Sequence, residues 1–165
     1  METKELLMLG NRQCAMVVFP LLDDLGSAPL VSPVAGIGNH AHWILGHLLL
    51  GEGQFRSMME GTPNPLESLK ELFDGGTTPQ PEGRGYPPYA KLLEELKSRN
   101  DAMLTWMAGL TEQDLDQTSQ AVPPGFEPFF GTWRQVLLMR MLHWMNHRGQ
   151  LADCRRAAGR TPMLA

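Results

Sequence analysis

The chain has 165 residues, 42% of them hydrophobic, a net charge of −4 and only two cysteines. That length and apolar content suit one domain, residues 1–165, with a core that needs no disulfide staples. The acidic balance excludes a general nucleic-acid binder, which needs a concentrated basic face. No stretch approaches the ~20 apolar residues of a membrane-crossing helix.

The charged start Met1-Glu2-Thr3-Lys4-Glu5 leads into no cleavable apolar segment, so a cytoplasmic protein is expected, without membrane or nucleic-acid partners. A first helix is expected from Thr3 as N-cap through Leu6, Leu7, Leu9, Cys14 and Val17. Pro20 should kink or break it, with a short extension over Leu21 to Leu25 that ends at Gly26. Gly36-Ile37-Gly38-Asn39 reads as a turn into a second helix, capped by Asn39 and stopped by Gly61. Residues 61 to about 86, rich in Pro, Gly and Thr, form a long crossover loop, with one short helix over Leu66 to Phe73.

Pro87 and Pro88 introduce a third helix, Tyr89 to Ala108, ended by Gly109. Thr111-x-x-Asp114 marks a brief helical turn, and Pro123-Pro124-Gly125 is a break. Thr132-x-x-Gln135 is a capping box that opens a last helix running to Ala158, with Gly159 at its C′ position. Nothing reads as a strand. The expectation is an all-α chain, a four-helix bundle with a long crossover connection.

All five histidines fall in two clusters, His40-x-His42-x4-His47 and His143-x3-His147. Histidines four apart on a helix share a face, with Cβ atoms ~5–6 Å apart, close enough to hold one divalent ion. A third imidazole must then come from the second helix. On the last helix Val136, Met139, Arg140, His143, His147, Gln150 and Cys154 form one stripe. On the second, Trp43, His47 and Leu50 share a face, and His40 lies on it ~10 Å away along the axis. Phase therefore selects His47 as third ligand, puts His40 at the rim of the site and leaves His42 as a surface or interface residue. Three nitrogen ligands without a fourth from the protein leave a position for water or substrate.

Around the triad, Gln150 reads either as a partner that orients a ligand imidazole or as a packing amide. Arg148 belongs to a basic group with Arg155, Arg156 and Arg160, which either complements the helix dipole or grips an anionic ligand. Glu52 lies 140° from His47 on the second helix and is a poor general base by phase. Cys154 is ~10 Å beyond His147 and, like Cys14, reads as a buried thiol. Leu137, Leu138, Met141, Trp144 and Met145 lie off the histidine stripe, which favours a homodimer contact over burial by the N-terminal segment.

The segments Asn39-His40-Ala41-His42-Trp43-Ile44-Leu45-Gly46-His47-Leu48 and His143-Trp144-Met145-Asn146-His147-Arg148-Gly149-Gln150-Leu151 resemble the DinB/YfiT-like superfamily. The second segment, followed by Arg155-Arg156 and Gly159, is the more specific, and the resemblance extends over nearly the whole chain. It implies a four-helix bundle in which one histidine of the second helix and two of the last hold a divalent metal, often zinc or nickel. Carried over by position, those are His47, His143 and His147. It also implies an enzyme that uses a low-molecular-weight thiol, an S-transferase or isomerase, or alternatively a metal-dependent hydrolase. A non-catalytic metal-binding or stress-response protein is the third reading. Three imidazoles by themselves suit zinc, nickel, copper or iron.

Overall fold

Four long helices form because apolar residues recur at helical spacing in four segments, each with recognisable end signals. In the computed structural model, which describes residues 2–33 and 37–163, these are α1 (Thr3–Leu25), α2 (Ala41–Glu60), α4 (Tyr89–Gly109) and α6 (Trp133–Ala157). Two single-turn helices, α3 (Lys70–Phe73) and α5 (Glu127–Phe130), and three 3₁₀ turns complete the set. No strand occurs among the described residues. The fold is all-α.

Each long helix packs on two others: α1 on α6 and α4, and α2 on the same two, so α1 and α2 are diagonal across the bundle. Residues 61–88 connect the neighbours α2 and α4 and deliver α3 onto α2. The core has two parts. One centres on Val18, Leu22, Ile44, Leu48, Phe73, Leu96 and Trp144, the other on Met59, Met103, Met107, Val136 and Leu137.

Several helix ends differ from expectation. Thr3 is the first residue of α1 rather than its cap; Glu2 is the N-cap, and its N–H donates to Glu5 Oε2 at 3.1 Å. Pro20 does not end the helix, because it lies on the exposed side while Val18, Leu21, Leu22 and Leu25 anchor both flanks in the core. Asn39 is not the cap of α2; His40 is, with Nδ1 accepting the Trp43 N–H at 3.2 Å. Gly36, in the expected turn before it, lies outside the described residues. The capping box of Thr132 and Gln135 forms, and Gly61 and Gly159 take positive φ where α2 and α6 stop. The turn of α5 carried no clear sequence signal.

The off-stripe apolar residues of α6 divide. Leu137 and Trp144 are buried, and α1 covers them: Asn11 Nδ2 reaches the Leu137 carbonyl, Phe19 meets Trp144 edge-on, and Met141 packs over Gly10. Leu138, Leu142 and Met145 remain exposed. No described helix is long and apolar enough to cross a membrane.

Candidate metal centre

The site is built where α2 and α6 face each other. His143 and His147, one turn apart on α6, present their rings to His47 on α2, with all three ring centroids separated by 4.6–4.9 Å. One ligand nitrogen from each lies within 4.8 Å of the others. The Nε2 atoms of His47 and His143 are 3.0 Å apart.

Hydrogen bonds set which nitrogen each ring offers. His47 Nδ1–H donates to the Phe73 carbonyl at 2.7 Å, and His147 Nδ1–H donates to Gln150 Oε1 at 3.2 Å. Both rings are thereby held in the tautomer whose Nε2 carries a free lone pair. His143 is oriented by packing: its ring meets Phe55 edge-on at 5.6 Å and passes over Gly51, while Nδ1 is buried without a partner. A side chain at position 51 would press on that ring. Gly46 does the same for the next layer, since a Cβ there would meet the Phe73 ring and displace the carbonyl that holds His47.

The electrostatics are those of neutral donors. Burial pushes the His143 pKa down to about 3, helped by its neighbours His147 and His47 and by Arg140. Burial likewise lowers His147 to about 4, and it lowers His47, against the opposing pull of the Phe73 carbonyl and the charge of Asp74. At neutral pH all three are uncharged, as metal ligation requires.

These residues fit a divalent ion. Two nitrogens bound at ~2.0–2.1 Å to one tetrahedral ion lie ~3.3 Å apart, close to the separation of the His47 and His143 Nε2 atoms. Two lone pairs facing at such a distance repel unless a cation or a proton lies between them. Convergent nitrogens, fixed tautomers and suppressed protonation all favour the cation.

Trp43 stacks on His47 with centroids 4.8 Å apart and planes at 11°, and its Nε1–H donates to Thr77 Oγ1 at 2.9 Å. Gln150 touches His147, as one of its two sequence readings has it. The structure departs from expectation at His40, which is not at the rim of the site: its ring is buried, caps α2 and donates from Nε2 to the Gln80 carbonyl at 2.9 Å. Nor is His42 a surface residue. It is 8% exposed, donates from Nε2 to the Pro87 carbonyl and lies between Tyr86 and Tyr89. The signal was in the sequence: Trp43-Ile44-Leu45 and Leu48-Leu49-Leu50 make α2 apolar all round, so it has no solvent face to offer His42.

The basic group does not gather at the triad. Arg155 and Arg160 both bind Asp24 of α1, at 2.9 and 2.8 Å, and Arg156 pairs with Asp153. Arg148 makes no ion pair among the described residues, and borders a small void with Arg155 and Arg156. Cys14 and Cys154 are free and buried, and burial lifts the Cys154 thiol to about 11.

Sequence reasoning missed three things. Phe73 acts through its backbone, which no side-chain pattern reveals. Asp74, the next residue, comes from the connection between α2 and α4 and accepts from Gln54 Nε2 at 3.3 Å. Glu52 is not a free acid in any orientation: it is paired with Arg140, side chains 1% and 0% exposed, and accepts from Trp144 Nε1 at 3.0 Å. Arg140 also donates to Asn11 and Asn100. A carboxylate in an apolar helix and an arginine on an inward stripe are the signal that would have joined them.

No curated protein matches the chain. The family model described as the DinB superfamily matches residues 12–151, a span that contains all three histidines of the site and both segments that carry the resemblance. With the helical bundle and the convergent histidines, that match identifies the chain as a member of the DinB superfamily.

Proposed function

We propose that this protein is a metal-dependent S-transferase acting with a low-molecular-weight thiol, with zinc or nickel held by His47, His143 and His147. The observation that carries the reading is a set of three uncharged nitrogen donors with no carboxylate among them. An ion held by neutral ligands keeps its full charge and supplies Lewis acidity that draws a coordinated thiol toward thiolate. Phe73 and Gln150 hold two of the rings in position, and Trp43 closes one side of His47. The buried rings resist protonation, so the donors stay available well below neutral pH.

The test is elemental analysis of the untagged protein, then cobalt substitution and titration with small thiols. Metal at one per chain and a thiol-dependent change in the cobalt spectrum are expected. No spectral change with any thiol overturns the transferase reading. Hydrolysis is the second reading: Asp74, the residue after the carbonyl that holds His47, is the candidate base in place of Glu52, which Arg140 neutralises. Its mark is turnover of an ester or amide by the metal-loaded protein without thiol. Metal binding without either activity is the reading left if both fail.

A cytoplasmic homodimer is part of the proposal. Leu138, Leu142 and Met145 on α6 and Leu6 and Leu9 on α1 are exposed apolar side chains, and a second copy of the chain is their proposed cover. Sedimentation at micromolar concentration should give twice the chain mass of 18.4 kDa, and Leu142→Glu should halve it.

A further inference from the structure

Further along α2 from the triad, and lined by none of its three histidines, lies a cleft of about 500 Å³ whose lining differs from what an acidic substrate would need. Gln54 and Met58 on α2 form part of it, and they follow His47 by seven and eleven residues. That spacing keeps them on the face of His47, ~10 and ~16 Å along the helix. Phe126 and Phe130, with centroids 6.3 Å apart, make an apolar wall together with Ala121 and Pro123. Phe55 joins this wall to the metal centre: its ring is 6.4 Å from Phe130 and 5.6 Å from His143.

The lining is also charged, and the sign of that charge decides the ligand. It carries two carboxylates, Glu67 and Asp74, against one ammonium, Lys70, and no arginine. Lys70 is held by Glu67 at 3.0 Å and also feels the charge of Asp74, so one ammonium faces two carboxylates and the lining keeps a net negative charge. Asp74 is fixed in place: Oδ1 accepts from the Gly75 N–H at 2.9 Å and from Gln54, and Oδ2 has no partner among the described residues. The carboxylate also sits one residue from the carbonyl that holds His47. Of the basic group, Arg155, Arg156 and Arg160 are bound to Asp24 and Asp153, and Arg148 borders a different void and does not line this cleft.

We infer that this cleft binds the co-substrate of the metal centre, and that the ligand it takes is an elongated cation: an ammonium group at Asp74 and an aromatic or aliphatic group between Met58, Phe126 and Phe130. The inference rests on the triad being the reactive centre, and it names the substrate class of that centre. A charge-assisted contact to Asp74 selects ammonium over carboxylate, and the apolar wall supplies most of the buried area.

Two probes of equal shape separate the charges. Phenethylammonium and 3-phenylpropionate are titrated into the metal-loaded protein carrying ¹³C-methyl methionine, with the Met58 methyl as reporter. The ammonium should move the Met58 signal and bind at least ~10-fold more tightly than the carboxylate. Asp74→Asn should bring the two within about twofold, at unchanged metal content and melting temperature. Lys70→Ala should leave ammonium binding intact or improve it, which keeps the test valid if Asp74→Asn fails to fold. Equal or tighter binding of the carboxylate, a preference that survives Asp74→Asn, or no movement of Met58 overturns the inference. If thiols alter the cobalt spectrum while the ammonium preference is absent, the cleft assignment falls alone. If no thiol acts and the preference is present, the transferase reading falls and the cleft stands.

Discussion

Replacing Glu52 by Gln should be among the most damaging single changes in this protein that leave every histidine in place. The Arg140 guanidinium is fully buried, and Glu52 meets it with Nε at 2.9 and 3.1 Å and Nη2 at 3.0 Å from its two oxygens. Removing the negative partner strands a buried cation, which costs about 3–5 kcal/mol. A typical domain has only ~5–15 kcal/mol of stability to lose. Replacing both members by apolar residues, Glu52→Leu with Arg140→Met, removes the charge together with its partner and should cost less than the sum of the single changes by ~2–3 kcal/mol. Urea unfolding of chelator-treated protein, followed by circular dichroism and tryptophan fluorescence, measures all four corners of the cycle. The pair also joins α2 to α6 five residues after His47 and three before His143, so the single variants should bind metal more weakly even where they stay folded. A loss under ~1 kcal/mol for Glu52→Gln, or costs that add within ~0.5 kcal/mol, would refute the reasoning.

His143→Ala should abolish the rise in melting temperature on adding zinc or nickel; in wild type, metal at 100 times its Kd is worth ~2.7 kcal/mol, and an unchanged rise in the variant would exclude the triad. Stability of the metal-free protein should fall with acid. His143 and His147 have folded pKa values of about 3 and 4, below the ordinary 6.5, so the unfolded chain takes up protons first and stability present above pH ~6.5 is lost as pH falls toward 4. From pH 7 to 5 each contributes ~2 kcal/mol of that loss, to be read from urea midpoints and to be absent in a His143→Gln, His147→Gln double variant. Gly46→Ala should cost ~1–3 kcal/mol by forcing Phe73 aside, and it should weaken metal binding through His47; a variant with wild-type metal affinity would show that the Phe73 carbonyl is dispensable. Gln150→Ala should lower metal affinity ~10–100-fold by calorimetry, with little change in the stability of the metal-free protein.

Much of this molecule is local information. The capping box at Thr132, the stops at Gly61 and Gly159 and the prolines before Tyr89 each act within one turn of backbone, so the four long helices were legible from neighbours in sequence. The convergence of His47 with His143 and His147 was also legible, because 100° per residue fixes which side chains share a face, and a four-helix bundle turns those faces inward. The family match over residues 12–151 agrees with both.

Tertiary structure decided what phase alone does not encode: which face meets which neighbour. Helical periodicity gave His42 an outward direction, but α2 is surrounded, and outward meant toward Tyr86 and Tyr89. It put His40 on the face of the site two turns away, whereas the helix begins only after His40, and its ring was needed to cap α2. Pro20 read as a break because propensity sees one lost hydrogen bond, while the core holds both halves of α1 in line. The pairing of Glu52 with Arg140 spans 88 residues, and the Phe73 carbonyl reaches His47 from a connection rich in Pro and Gly that has no periodicity to read. The histidines themselves were set by spacing within helices; the groups that orient them arise only where segments distant in sequence are packed together.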